Sequence, residues 1–165
     1  FTMGTIAISG IIDFTASLRR KVGDPNSDIY SGTSLDLYGG DGFNYIESVQ
    51  PLGYAITFTG GIPYVTPEPD NIGKQAALLA SEWIVKNDRA KQLISNAISA
   101  KDGAQSIDTS KGVNAAVDMA ELARKNLDKF LEELQYTLLT SGNAGGIVDT
   151  YSIVELDSSD DNSNF

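Results

Sequence analysis

Ile72, Ala76, Leu79, Trp83, Lys86, Ala90, Leu93, Ala97 and Ala100 follow one another at alternating spacings of four and three, and only Lys86 interrupts their apolar character. That spacing draws a single stripe down one side of an α-helix, the pattern of a helix packed lengthwise on another. A second run repeats it: Val113, Ala116, Ala120, Ala123, Leu127, Phe130 and Leu134, with Val117, Leu131 and Leu138 widening the stripe. The sequence therefore predicts two long helices, each roughly 45 Å at about 1.5 Å per residue.

The punctuation agrees with the period. Pro67 and Pro69 precede the first helix, where a missing N–H is harmless, and Asp70 or Asn71 can cap it. Asp102-Gly103 offers a turn, Asp108, Thr109 or Ser110 a second cap, and Ser141-Gly142-Asn143 a stop. Bulk lies early in the first stripe and late in the second, so an antiparallel hairpin sets large residues against large ones. Trp83 is then expected near Leu127, Leu79 near Phe130 and Ile72 near Leu138.

The first part of the chain changes period. Ile6, Ile8, Gly10, Ile12, Phe14, Ala16 and Leu18 occupy every second position, which predicts one long strand bent at Gly10. Such a strand can pair with the sheet of a neighbouring subunit. Beyond it, Leu35 to Tyr38, Phe43 to Val49, Tyr54 to Thr59 and Ile62 to Val65 read as short strands, with turns at Gly39-Gly40-Asp41-Gly42 and Gly60-Gly61. Residues 147–156, rich in Ile, Val, Thr and Tyr, read as a strand returning to the same sheet, and residues 157–165 as an acidic tail.

The expected fold is therefore α+β and a single domain over 1–165. A small antiparallel β-rich body is built from 1–66 and the strand in 143–156, with the helical hairpin of 67–142 inserted between them.

Composition then narrows the chemistry. The 165-residue chain holds neither Cys nor His, which removes disulfides, thiol and imidazole catalysis and the usual zinc ligands. Its net charge of −10 argues against a nucleic-acid partner, whose phosphates need a basic face. The only tight basic cluster is Arg19-Arg20-Lys21, while residues 143–165 carry acidic groups and no basic ones. Asp157, Asp160 and Asp161 are thus candidates to meet Arg19, Arg20 and Lys21 of another copy, with Ile6, Ile8, Ile12 and Phe14 as further interface candidates on the N-terminal arm.

Few motifs suggest a ligand. Asp24, Asn26 and Asp28 alternate like the opening of a calcium loop, yet Ile29 stands where such a loop needs Gly and Leu35 where it needs a bidentate Glu. A turn around Pro25 accounts for them, and no cofactor is expected. Tyr30, Tyr38, Tyr45, Tyr54 and Tyr64 could form a contact surface if they shared a face. Glu121 with Lys125 and Lys129 with Glu133 read as solvent-face helix pairs. No nucleophile elbow, Ser-x-x-Lys pair or dinucleotide fingerprint occurs.

No apolar stretch is long enough to span a bilayer. A start at Phe1 instead of Met is expected of a processed product or of a piece of a longer chain. These readings point to a non-enzymatic assembly protein whose partners are copies of itself or other structural proteins. A bacteriophage head or tail component, in a virion or extracellular setting, is the specific expectation. An adhesin-like binding module and a membrane-active oligomer are the rivals.

Overall fold

The computed structural model describes residues 4–101 and 110–142. The chain falls into two units, Phe1–Phe130 and Leu131–Phe165. In the second, the described residues are the last turns of a helix. Residues 147–156 and 157–165, read above as a returning strand and an acidic tail, lie outside the described residues.

The first unit mixes helix and sheet. In order it contains strand β1 (Ile6–Ala7), a 3-10 turn (Ile8–Gly10), helix α1 (Phe14–Lys21) and helix α2 (Gly32–Val49). Strands β2 (Ala55–Thr59) and β3 (Ile62–Thr66) follow, then helices α3 (Asn71–Lys101) and α4 (Ser110–Gly142), the latter running on into the second unit. The sheet is antiparallel with order β1-β3-β2.

The two long helices of the hairpin and the β2–β3 hairpin stand where the sequence predicts them, while the turn expected at Asp102-Gly103 and the caps expected at Asp108 or Thr109 lie outside the described residues. Gly60 and Gly61 both adopt positive φ, 60° and 80°, the type I′ turn that matches the twist of two paired strands. Asp70 caps α3: its Oδ1 accepts from the Gly73 amide at 2.7 Å and its carbonyl from the Lys74 amide at 2.9 Å. The Tyr54 hydroxyl donates to the same carboxylate at 3.1 Å and lies over Gly73, where no side chain would fit. Lys86, the odd residue of the first stripe, donates to Glu82 at 2.6 Å.

The N-terminal arm differs from the strand expected of it. Only Ile6 and Ala7 are extended, pairing with Val65 and Tyr64. Beyond them the buried residues are Ile8, Ile11, Phe14 and Leu18, spaced three and four apart, while Ile12 is 81% exposed. Helical spacing therefore wins over alternation. The basic run Arg19-Arg20-Lys21 sits in the last turn of α1, where positive charge complements the helix dipole.

Residues 35–49 are corrected as well, from two strands and a turn to one helix. Ser31 caps α2 by accepting from the Ser34 amide at 3.1 Å. Gly39, Gly40 and Gly42 lie inside it and are buried. A β-carbon at Gly39 would stand 2.6 Å from Ile8 Cγ2, and one at Gly40 would stand 2.9 Å from Pro63 Cβ. At Gly42 it would stand 2.6 Å from the Ala77 carbonyl oxygen. The three glycines thus let α2 approach the 3-10 turn, β3 and α3 at once. A core of Ile8, Phe14, Leu18, Leu35, Phe43 and Val65 closes around that contact.

Candidate functional site

The strongest constellation of polar and aromatic groups is built on three helices of the first unit. Tyr45 on α2 meets Trp83 on α3 with ring centroids 5.1 Å apart and planes inclined by 54°. The Arg124 guanidinium on α4 lies 4.7 Å from the Trp83 ring centre and 5.6 Å from that of Tyr45, within cation–π range of both. Asp128, one turn further along α4, accepts from Arg124 Nε through both oxygens at 2.9 and 3.1 Å. Partial burial works against the Arg124 charge, but Asp128 and Tyr45 more than offset it and raise the group above its ordinary value.

A cleft of about 310 Å³ opens beside this cluster between α3 and α4. Ala90 and Ala120 are small where the two helices face each other, and the space they leave is walled by Trp83, Ile94 and Val117. Asn87, Lys91, Glu121 and Arg124 supply an amide and three charges at its border. An aromatic face, a guanidinium, an ammonium and a carboxylate around an apolar floor suit the holding of a small amphipathic group. Trp83 is legible in the sequence as a seam residue, whereas Arg124 is not. The signal available was the Arg124–Asp128 spacing of four on the second helix.

A second cluster joins α2 to α3. The Tyr38 hydroxyl donates to Asp88 at 3.3 Å, and Asp41 lines the same open depression together with Ser34 and Leu37. Burial, with Asp88 beside it, pushes the Tyr38 phenol up to about 12. The same two causes raise the Asp41 carboxyl above its ordinary value. Asp41 and Asp88 are far apart in sequence, and nothing in the chain advertises their meeting.

Asp24, the first residue of the calcium-like run, is buried and holds its own loop. Its Oδ1 accepts from the amides of Asp28 and Ile29 at 2.7 and 3.1 Å; its Oδ2 accepts from the Tyr30 amide at 2.9 Å and from Arg19 at 3.0 Å. Burial opposes its charge, yet three amides and the guanidinium outweigh it and keep the carboxyl below the ordinary range. Asn26 and Asp28 are exposed. Among the described residues no group of three or more metal-ligating side chains converges.

The remaining interface candidates are divided by the fold. Ile8 and Phe14 are core residues, Ile6 is half-buried against that core, and Ile12 is exposed beside a cleft with Lys74 and Gln75. Arg19 also donates to the Tyr30 carbonyl at 2.8 Å. Lys21 lies 3.4 Å from Glu82, a carboxylate shared with Lys86. Arg20 is exposed, with a hydrogen bond to Ser17 at 3.0 Å. Asp157, Asp160 and Asp161 lie outside the described residues.

The tyrosines do not form one platform. Tyr30 packs edge-on against Tyr38 and Tyr54 edge-on against Phe43, while Tyr45 meets Trp83 at a tilt. Among the described residues, no helix is long and apolar enough to cross a membrane. Comparison with known proteins finds no matching family model, no similar curated protein and no similar solved structure.

Proposed function

We propose that this chain is a non-enzymatic assembly module, self-associating through the outward flank of its helical hairpin. The observation that carries the reading is a set of large apolar residues left exposed on α3 and α4. Ala123 and Leu127 are buried on the side facing the rest of the unit, while Leu122 is 59% exposed away from them and Met119, 58% exposed, borders a groove with Val85, Arg89 and Tyr30. On α3, Ile94 and Ile98 are exposed as well. A lone exposed apolar residue is ordinary, but several on one hairpin favour a protein partner. In the second unit Tyr136, Leu138 and Leu139 are also exposed, on the same helix. A bacteriophage virion component is one setting for such a module.

The test is solution mass by light scattering across a dilution series, for the natural chain and for Leu122→Lys. A concentration-dependent oligomer that the substitution dissociates supports the reading. A monomer at every concentration overturns self-association.

A second reading, a binding module, is favoured by the cleft beside Trp83 and Arg124. Trp83 is the only tryptophan in the chain, so its emission reports directly on that cleft. Saturable shifts in emission on adding small anionic aromatic compounds to the monomer would favour it.

A further inference from the structure

The cleft side of the hairpin carries two lone charges of opposite sign. Ala90 on α3 and Ala120 on α4 face each other across its floor, and the next residue on each helix, Lys91 and Glu121, stands at its border. Both are exposed. Among the described residues neither enters an ion pair or a side-chain hydrogen bond, Glu121 not even with Lys125 one turn on. Arg124 and Asp128, at the Trp83 end, already neutralise each other. Away from Trp83 the same side of α3 adds Ile94 and, one turn on, Ile98, 39% and 63% exposed, and α4 adds the half-buried Val117.

A matching occupant is apolar and offers an acid to Lys91 and a base to Glu121. The chain's own segments outside the described residues, 1–3, 102–109 and 143–165, contain no Lys or Arg, so none of them brings a basic side chain to Glu121. A second copy brings both charges at the required spacing. Trp83 meets Arg124 while Ile94 shares the cleft with Val117, so α3 and α4 run antiparallel. A two-fold axis along the hairpin then lays α3 of each copy over α4 of the other, level for level. Lys91 meets Glu121 of the partner subunit, and symmetry repeats the contact. Each helix of the resulting four has antiparallel neighbours, the arrangement of an up-down bundle. An axis across the hairpin would instead set Lys91 against Lys91 and Glu121 against Glu121. In a chain of net charge −10, copies repel one another, which favours meeting on a side where opposite charges match.

We infer that the cleft side of α3 and α4 pairs with the same side of a second copy, through reciprocal Lys91–Glu121 contacts around Ile94, Ile98 and Val117. The inference rests on the self-association proposed above and names a contact for it that is distinct from Leu122.

The experiment is a dilution series by light scattering on Lys91→Glu, on Glu121→Lys and on their equimolar mixture, beside the natural chain. Each variant alone places like charges together at both symmetric contacts, so its half-dissociation concentration should rise roughly tenfold or more. In the mixture the new acid of one chain meets the new base of the other, and the two unchanged residues still pair. The natural concentration dependence should therefore return. Such rescue cannot arise within one chain, and it shows that both variants are folded. Variants that associate as the natural chain does overturn this contact and leave self-association standing. Variants that are weakened and do not rescue each other overturn the reciprocal pairing. A natural chain that is monomeric at every concentration removes the self-association itself, and a Trp83 emission shift with a small anionic aromatic compound then assigns the cleft to such a ligand.

Discussion

Replacing Gly42 by alanine tests the packing argument most directly, because helix propensity and packing predict opposite signs. Intrinsically, alanine stabilises a helix interior by about 1 kcal/mol over glycine. At this site the added methyl group would collide with the Ser81 hydroxyl and stand 2.6 Å from the Ala77 carbonyl oxygen and 3.0 Å from the Ser81 nitrogen. The hydroxyl can rotate, but it then abandons its 2.7 Å hydrogen bond to Ala77 inside the protein, a loss of about 1 kcal/mol. The other two atoms are backbone and can yield only if α2 and α3 separate. A gap of about 0.5–1 Å forfeits a quarter to a half of each dispersion contact across the seam, and overpacking of this kind costs about 1–3 kcal/mol. The net expectation is a loss of about 1–3 kcal/mol, or about 3–9 °C in Tm for a chain of this length. Thermal and urea unfolding followed by circular dichroism and Trp83 emission would measure it. Gly112→Ala is the control: no atom lies within 4 Å of its β-carbon position near the start of α4, so it should be neutral or stabilising by up to about 1 kcal/mol. A Gly42→Ala chain as stable as the natural one would refute the close-approach account.

Arg124→Lys keeps the charge but loses the flat group that spans Trp83, Tyr45 and Asp128. It should destabilise by about 0.5–1 kcal/mol, the modest figure reflecting partial exposure, and shift Trp83 emission in the folded state; an unchanged spectrum would sink the stacking role. Asp24→Asn removes the charge that the three loop amides and Arg19 face. Because the native carboxyl titrates below the unfolded one, its stabilisation is complete above about pH 4 and fades as pH falls through the native value. The variant should therefore unfold at lower urea than the natural chain at neutral pH, with the gap closing in acid; a gap independent of pH would contradict the assignment.

The parts of the fold that were legible in the sequence are those where one local rule acts alone. The seam of α3 and α4 repeats long enough to fix the period, Asp70 stands where a cap must stand, and Gly60-Gly61 permits only a tight hairpin. The first fifty residues misled for two separate reasons. Ile11 and Ile12 are adjacent, so the same apolar residues fit either alternation through Ile12 or helical spacing through Ile11, and only packing decides. In α2 the core-facing positions include Gly39, Gly40 and Gly42, so the residues that mark the buried face carry no side chain. A glycine run signals a turn when read locally and a close helix contact when three other elements converge on it. The meeting of Asp41 with Asp88 was hidden by the same misreading, because Asp41 sits within that run.

These glycines also connect the packing of the first unit to the surface proposed for assembly. Gly42 sets how closely α2 lies against α3 at Ser81, and one turn further along α2 Tyr45 reaches Trp83. Trp83 in turn provides the face on which Arg124 rests. Arg124 borders the cleft between α3 and α4 while Leu122 is exposed, so the contacts of Arg124 with Trp83, Tyr45 and Asp128 help to set the rotation of α4 about its axis. That rotation sets how far Leu122 is turned away from the seam. Alanines at 116, 120 and 123 present little relief to resist such a turn, since small side chains interlock weakly with a facing helix. The guanidinium, lying against two rings and paired with Asp128, adds to the restraint that the buried Leu127 provides. A residue outside the outer flank would therefore govern how that flank is presented. Weakening the clamp should loosen association even though Arg124 itself touches no partner.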